Sequence, residues 1–202
     1  MVAVCVFCSS SQTIDARHLD LATALGTDLA RRGHTLVSGG GRVSMMGAVA
    51  RAARAGGART VGVIPQSLMG LEVADDDADE LVVTPDMRSR KGRMDAAADA
   101  FVVLPGGIGT LEELLEVWVA RSLGMHAKPV VVCDPEGVYA SLHQLVADLV
   151  GAGFVRASAA AELVWTTDVA AAVDAVEAGV AGSRHVPPDR QRVVEETLEA
   201  EP

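Results

Sequence analysis

The chain has 202 residues, half of them hydrophobic, and a formal net charge of −10. This length fits one domain with a large core, and the acidic charge argues against nucleic acid as the main partner, because phosphate backbones require clustered cations. No apolar run approaches the roughly 20 residues of a membrane span, and the first residues do not resemble a signal peptide, so we expect a cytoplasmic protein without a membrane partner.

Short apolar runs alternate with longer helical patterns along most of the chain. In chain order we predict β 2–7, α 15–32, β 35–37, α 45–55, β 60–64, β 81–84, α 86–98, β 101–104, α 110–123, β 130–133, α 137–151, β 163–165 and α 168–178. Strands this apolar do not face water, so the alternation predicts an α/β protein with a Rossmann-like, doubly wound parallel sheet and helices on both faces. Residues 1–179 would form a single nucleotide-binding catalytic domain, and the proline- and charge-containing residues 180–202 a loosely ordered tail.

Two glycine turns follow predicted strands. The sequence SGGG occupies residues 38–41, and the sequence PGGIG occupies residues 105–109, before a helix. Free backbone N–H groups and the positive end of a helix dipole make such turns suitable for an anion. Turns 8–11, 38–41 and 105–109 would share the carboxyl edge of the sheet, where ligands bind in this class. The turn at 38–41, taken alone, is equally compatible with a tight structural turn.

The helix predicted over 86–98 carries two adjacent cations. Met87, Lys91, Met94 and Ala98 recur at helical spacing as one apolar stripe, with Arg90 on its flank and Lys91 inside it. A cation directed toward the core requires an anionic partner. The alternative is a long side chain that extends past the core to solvent.

Glu112 and Glu113 directly follow the second glycine turn. Thr110 and Glu113 have the spacing of a helix capping box, and this spacing alone favours capping over catalysis. Catalysis is favoured instead by the adjacent glycine turn and by Arg90, which could meet the same cleft. Glu112 lies about 100° around the helix from Glu113, so the two acids need not share a role.

Other clusters point to structure rather than chemistry. The pair Cys5 and Cys8 straddles a strand, and with Cys133 as the third cysteine we predict buried structural thiols rather than a redox or zinc site. The acidic run at residues 75–77 is interpreted as a solvated loop. No metal site is predicted, because no histidine lies near these acids.

Taken together, the motifs resemble the LOG ("lonely guy") family of cytokinin-activating phosphoribohydrolases, over about residues 2–176. The segments that carry the resemblance are VCVFCSSS (4–11), SGGGRVSMMG (38–47), VIPQSLM (63–69), MRSRKGRM (87–94) and LPGGIGTLEE (104–113). The combination of M-x-x-R-K with P-G-G-x-G-T-x-E-E, separated by a strand, is specific. Either motif alone would be weaker.

The resemblance implies hydrolysis of the N-glycosidic bond of an adenosine 5′-monophosphate, either N6-substituted as in a cytokinin riboside monophosphate or AMP itself. The products would be the free base and ribose 5-phosphate. Arg90 and Glu113 would be the catalytic residues. The resemblance also implies a homo-oligomer, such as a dimer, and no metal or organic cofactor. The substrate-binding residues would be Ser10, Gly40, Gly41, Glu72, Lys91, Gly106, Gly107, Ile108, Gly109, Thr110, Leu111 and Glu112.

The chain departs from the family pattern at Arg42, which follows the three glycines, and at Val119, where a threonine is common. The first motif also reads C-S-S-S rather than C-G-S-S. These departures bear on base selectivity rather than on reaction type. Two alternatives stay open: a non-catalytic nucleotide-binding or cofactor-carrier protein, and a general nucleotide nucleosidase without a cytokinin role. Lysine decarboxylase, a label often given to such proteins, is disfavoured, because a Schiff-base lysine would have to be Lys91 or Lys128.

Overall fold

A computed structural model describes residues 1–69 and 74–183, which form seven strands and seven α-helices. The strands are Ala3–Phe7 (β1), Thr35–Ser38 (β2), Thr60–Pro65 (β3), Glu80–Thr84 (β4), Ala100–Val103 (β5), Val130–Cys133 (β6) and Leu163–Thr166 (β7). The helices are Ala16–Arg31 (α1), Ser44–Ala55 (α2), Met87–Ala97 (α3), Ile108–Ser122 (α4), Ala140–Gly151 (α5), Ala157–Ala160 (α6) and Val169–Ser183 (α7). A 3-10 turn, Gln66–Leu68, follows β3.

The strands form one parallel sheet in the order β4-β3-β2-β1-β5-β6-β7. Strands β2, β3 and β4 are added in turn on one side of β1. The chain then crosses back, and β5 pairs with the other side of β1. The strand order therefore reverses between β1 and β5, which is where open α/β sheets form their ligand crevice. The predicted fold class is confirmed.

Helices cover both faces of the sheet because each strand is apolar on both sides. On one face, α1, α2 and α7 pack against inward residues such as Val4 and Val6 of β1. On the other face, α3, α4 and α5 pack against Cys5 and Phe7 of the same strand. Among the described residues, no helix combines the length and hydrophobicity needed to cross a membrane.

Three helix boundaries differ from the prediction by two or more residues. Helix α4 begins at Ile108, two residues earlier than predicted. Helix α5 begins at Ala140 rather than 137, because the Asp134 carboxylate accepts the N–H groups of Val138 and Tyr139 in a turn before the helix. Helix α7 continues to Ser183, and residues 184–202 of the predicted tail lie outside the described residues.

Candidate active site

Three turns meet at the carboxyl edge of the central strands, as predicted. The N–H of Ser9, after β1, donates to the Pro105 carbonyl after β5 at 3.3 Å. The Ser44 hydroxyl, at the start of α2, donates to the Ser11 carbonyl. Ser44 has φ of 50°, a left-handed conformation that is uncommon outside glycine and marks local strain. Ser10 is exposed between these contacts.

Arg90 lies at the centre of this edge, with 6% of the residue exposed. Its Nε donates to the Val63 carbonyl at 3.0 Å, and its Nη2 donates to the Gly39 carbonyl at 3.3 Å. Its Nη1 donates to Glu113 Oε1 at 3.2 Å. One guanidinium thus joins the ends of two strands to helix α4. A side chain that extends to solvent, the alternative raised by the sequence, is wrong for Arg90.

The packing of α3 explains why Arg90 is buried. Asp86 caps the helix by accepting the Ser89 N–H at 2.7 Å, which fixes where the first turn begins. Arg90 and Met94 then face the sheet, one turn apart, whereas Met87 is 42% exposed. The predicted apolar stripe is therefore wrong at Met87 and Lys91. In that part of the helix the side chain that faces the sheet is Arg90, one residue before Lys91.

Glu113 does not form the predicted capping box. Gly107 is the N-cap of α4 and Thr110 already lies within the helix, so the Thr110–Glu113 spacing no longer marks a helix start. The Glu113 side chain is 12% exposed and pairs with Arg90. Gly109 precedes Glu113 by one turn on the same helix face, and a Cβ at Gly109 would meet no atom within 4 Å. The structure therefore leaves room between the glycine turn and the Glu113 carboxylate.

Lys91 lies at the rim of the site rather than in the core. Its Nζ pairs with Glu112 and, at 2.5 Å, with Glu116 Oε2. The hydrogen bonds that Lys91 donates to Glu112 and then to Glu116 raise the pKa of Lys91 above its ordinary value. The two predicted acids therefore have separate partners, Lys91 for Glu112 and Arg90 for Glu113. Glu116 was missed in the sequence, although its i,i+4 spacing from Glu112 was a usable signal.

The second glycine turn presents an open helix start. A Cβ at Gly106 would lie 2.1 Å from Thr110 Oγ1, so the backbone packs directly on the buried threonine. A Cβ at Gly107 would meet no atom within 4 Å. The N–H groups of the first turn, Ile108 to Thr110, have no carbonyl partner within an α-helix. These donors and the helix dipole favour an anion at this point, while Leu111 packs toward the core.

The first glycine turn is tied to the loop before β4. Gly40 has φ of +74°, a conformation that side chains rarely adopt, and its carbonyl accepts the Asp75 N–H at 2.9 Å. Gly41 forms an antiparallel bridge with Ala74. The buried Asp75 carboxylate accepts two hydrogen bonds from Arg54, at 2.7 and 3.0 Å. The interpretation of Asp75 as part of a solvated acidic run is therefore wrong, and Glu72 lies outside the described residues.

A cavity of about 110 Å³ opens between α3 and α4 beside Glu113. Phe7, Phe101 and Val117 form its apolar floor, and the two phenylalanine rings stack with centroids 5.8 Å apart. Lys91 lies at its polar rim. The arrangement places an apolar recess next to Glu113, the acidic member of the buried ion pair.

The cysteines lie in the core of the described part of the chain. All three cysteines are buried and unpaired as disulfides, and burial raises the pKa of each thiol, that of Cys133 to about 11. Within residues 1–69 and 74–183, no three cysteine, histidine, aspartate or glutamate residues are grouped so that they could hold a metal ion. The prediction of buried structural thiols is confirmed.

Known proteins resemble this chain in sequence over most of its length. Residues 46–176 match the family model described as "Possible lysine decarboxylase". A cytokinin riboside 5′-monophosphate phosphoribohydrolase of Mycobacterium marinum is 48% identical over 87% of this chain and 94% of its own length. The chain belongs to the LOG family. A LOG-family relative of the same activity name from Arabidopsis thaliana is 43% identical, over 77% of this chain and 73% of its own length.

Solved structures agree with the fold. A Moco carrier protein from Chlamydomonas reinhardtii aligns with a TM-score of 0.67 and 24% identity, over 90% of this chain and 98% of its own. At this identity the likeness shows that the LOG-family chain and that carrier share a fold. It does not indicate which ligand the LOG-family chain binds.

Proposed function

We propose that this LOG-family protein hydrolyses the N-glycosidic bond of a cytokinin riboside 5′-monophosphate, or of AMP, to the free base and ribose 5-phosphate. The two relatives named above, at 48% and 43% identity, support this reaction class. The observation that carries the proposal is the buried ion pair between Arg90 and Glu113, one helical turn from an open glycine turn. A phosphate and a developing positive charge on ribose would both find partners there.

The substrate phosphate would bind at the start of α4. Gly106, Gly107, Gly109 and Thr110 supply backbone N–H groups, and the helix dipole adds a fixed positive potential. Binding energy from this non-reacting group would orient the ribose over the helix face that carries Glu113. A nucleoside without phosphate should therefore react poorly.

Glu113 would act on the reacting carbon. Cleavage of an N-glycosidic bond passes through an oxocarbenium-like transition state, as in glycosidases, and a nearby carboxylate stabilises the positive charge. The same carboxylate can orient or deprotonate the attacking water. Arg90 would balance the Glu113 charge and hold its position through Val63 and Gly39.

The remaining family positions would complete the site around the ribose and base. Lys91 and Glu112 lie together at the rim, and Ser10, Gly40 and Gly41 lie on the neighbouring turns. The family motif also assigns a substrate contact to Glu72. The apolar cavity floored by Phe7 and Phe101 lies beside Lys91.

A lysine-based decarboxylation does not fit the residues present. The sequence has two lysines, and a Schiff base would require one of them to offer an uncharged amine. Lys91 is paired with two carboxylates, and Lys128 Nζ donates to the carbonyl and carboxylate of Asp95 at 2.7 and 2.9 Å. Neither environment favours an uncharged nucleophile.

We also propose that the protein is a cytoplasmic homodimer. Leu115, Val119 and Leu123 form an exposed stripe along α4, with 43%, 51% and 57% of each residue accessible. Three apolar side chains at i, i+4 and i+8 suit a second copy of the same helix. Size-exclusion chromatography with light scattering would measure the mass in solution.

One chromatographic assay tests the reaction. The protein is incubated with isopentenyladenosine monophosphate, AMP, GMP and CMP, and free base is measured. Base release from the adenine nucleotides is expected. Release from all four would indicate a general nucleosidase, and binding without release would indicate a carrier.

The variant Glu113→Gln tests the assigned residue. It preserves side-chain size and should abolish base release, while circular dichroism below the thermal midpoint should show that the variant is folded. The thermal midpoint itself should fall, because buried Arg90 loses its counter-charge. Turnover like that of the natural chain would remove Glu113 from the mechanism.

A further inference from the structure

A tyrosine lies directly beneath the second glycine turn. Tyr139 is 4% exposed, and its hydroxyl lies 3.2 Å from the carbonyl oxygens of both Leu104 and Gly106. A phenol has one proton, so this donor serves the two carbonyls on either side of Pro105. The second glycine turn, which precedes α4, is thus hydrogen-bonded by a side chain from the protein interior.

Neighbouring residues fix the position of this tyrosine. Asp134, which directly follows β6, accepts the N–H groups of Val138 at 2.9 Å and Tyr139 at 2.7 Å. Because β6 pairs with β5, this anchor lies beside the strand that leads into the glycine turn. The Tyr139 ring packs in the same core cluster as Leu114 of α4. The position of the Tyr139 hydroxyl is therefore fixed by contacts with the end of β6 and with the core, rather than by a surface loop.

The contact sets the direction of a backbone donor. In a trans peptide the C=O and the following N–H point in opposite directions, and the described residues contain no cis peptide. Holding the Gly106 carbonyl toward Tyr139 turns the Gly107 N–H away from the core. A Cβ at Gly107 would meet no atom within 4 Å, whereas a Cβ at Gly106 would collide with Thr110.

We propose that Tyr139 is a positioning residue for the anion site: by holding the Gly106 carbonyl inward, its hydroxyl keeps the N–H donors of the turn directed at the substrate phosphate. The proposal rests on the proposed function. Tyr139 does not contact the substrate, so its effect should be confined to substrates that carry the phosphate. This restriction separates positioning from general stabilisation.

The variant Tyr139→Phe keeps the ring and removes the hydroxyl. We expect kcat/KM for AMP to fall about tenfold, mainly through KM, because two buried carbonyls lose their donor and the turn relaxes. The slow hydrolysis of adenosine should be unchanged, so the preference for AMP over adenosine falls by the same factor. An unchanged preference would overturn the proposal.

Thr84→Val is the matched control. The buried Thr84 hydroxyl also lies near two carbonyls, those of Ile64 at 3.5 Å and Asp86 at 3.2 Å. It belongs to β4, and three strands separate β4 from β5, the strand that leads into the second glycine turn. Thr84→Val should lower the thermal midpoint about as much as Tyr139→Phe and leave the preference for AMP over adenosine unaltered. An equal loss of preference in both variants would assign the effect to general destabilisation and overturn the proposal.

A measurement on the unaltered protein covers the case in which Tyr139→Phe does not fold. The sequence has one tyrosine, so ¹³C labelling at the tyrosine Cζ gives a single resonance. Inorganic phosphate should shift it saturably, and absence of a shift while phosphate binds by calorimetry would contradict the proposal. A protein that releases no base would refute the proposed function, whereas this titration would still decide the role of Tyr139.

Discussion

Substitution of Gly39 tests the proposed catalytic arrangement without altering either proposed catalytic side chain. The Gly39 carbonyl accepts a hydrogen bond from Arg90 Nη2, and the guanidinium lies close over the Gly39 Cα. A Cβ at this position would lie 1.9 Å from Arg90 Nη2 and 3.1 Å from Cζ. Gly39→Ala therefore acts on Arg90 through contact alone.

The size of the effect follows from these distances. Ordinary contact begins near 3.4 Å, so the Nη2 atom must retreat by about 1.5 Å. The end of a side chain can make this movement, and the fold should persist with a loss of about 1–3 kcal/mol for overpacking. The same movement breaks the contact with Gly39 and displaces the partner of Glu113. A misplacement of about 1 Å in catalytic groups costs about 100-fold in rate.

We expect Gly39→Ala to lower kcat for AMP about 100-fold at a temperature well below its thermal midpoint. Gly151→Ala is the control, because a Cβ at Gly151, at the end of α5, would meet no atom within 4 Å. Circular dichroism would establish that both variants are folded. If folded Gly39→Ala retained the natural kcat, the Arg90–Glu113 alignment could not be needed for the reaction.

Three further predictions concern the assembly and the stability of the fold. Val119→Glu places a charge in the exposed stripe of α4 and should yield monomers by light scattering; a persistent dimer would require another interface. Arg54→Gln leaves the buried Asp75 carboxylate without its cation and should reduce the free energy of unfolding in urea by about 3 kcal/mol; a loss below about 1 kcal/mol would contradict this. Burial raises the pKa of Cys133 from 9.0 to about 11, so the unfolded chain ionises first and stability should fall as pH rises from 9 to 11. The urea midpoint at pH 8 and pH 10.5 measures this, and equal midpoints would refute it.

The strands of the sheet were predictable because their sequence pattern, a short run of apolar residues, is simple. Strands such as Val130–Cys133 are buried on both faces, so every residue is apolar and the boundaries stand out from the sequence. The turns at 38–41 and 105–109 were predictable as neighbours, since parallel strands end at a common edge. By contrast, α6 spans four residues with no apolar periodicity, and the sequence offered no signal for it.

The orientation of α3 was not predictable from hydrophobic spacing. Lys91 continues the apparent stripe of Met87 and Met94, whereas Arg90 interrupts it. The inward face is instead decided by polar contacts, because the Arg90 guanidinium finds the carbonyls of Val63 and Gly39 at the strand ends. Hydrophobic periodicity predicts which apolar side chains are buried. It gives no signal for a buried cation such as Arg90, whose guanidinium nitrogens each have a hydrogen-bond acceptor.

The residue at which α4 begins determines which role Glu113 can take. Had the helix begun at Thr110, Glu113 would have served as a capping residue. With Gly107 as N-cap, the first turn is left as an anion site and Glu113 stands in the second turn, on the face of Gly109. Glycine supports this start at Gly106, because a Cβ there would lie 2.1 Å from Thr110 Oγ1. In the proposed site, a phosphate at the start of α4 would therefore lie about one helical turn, near 5.4 Å along the helix, from the residue that carries the carboxylate, which is a distance that a ribose can span.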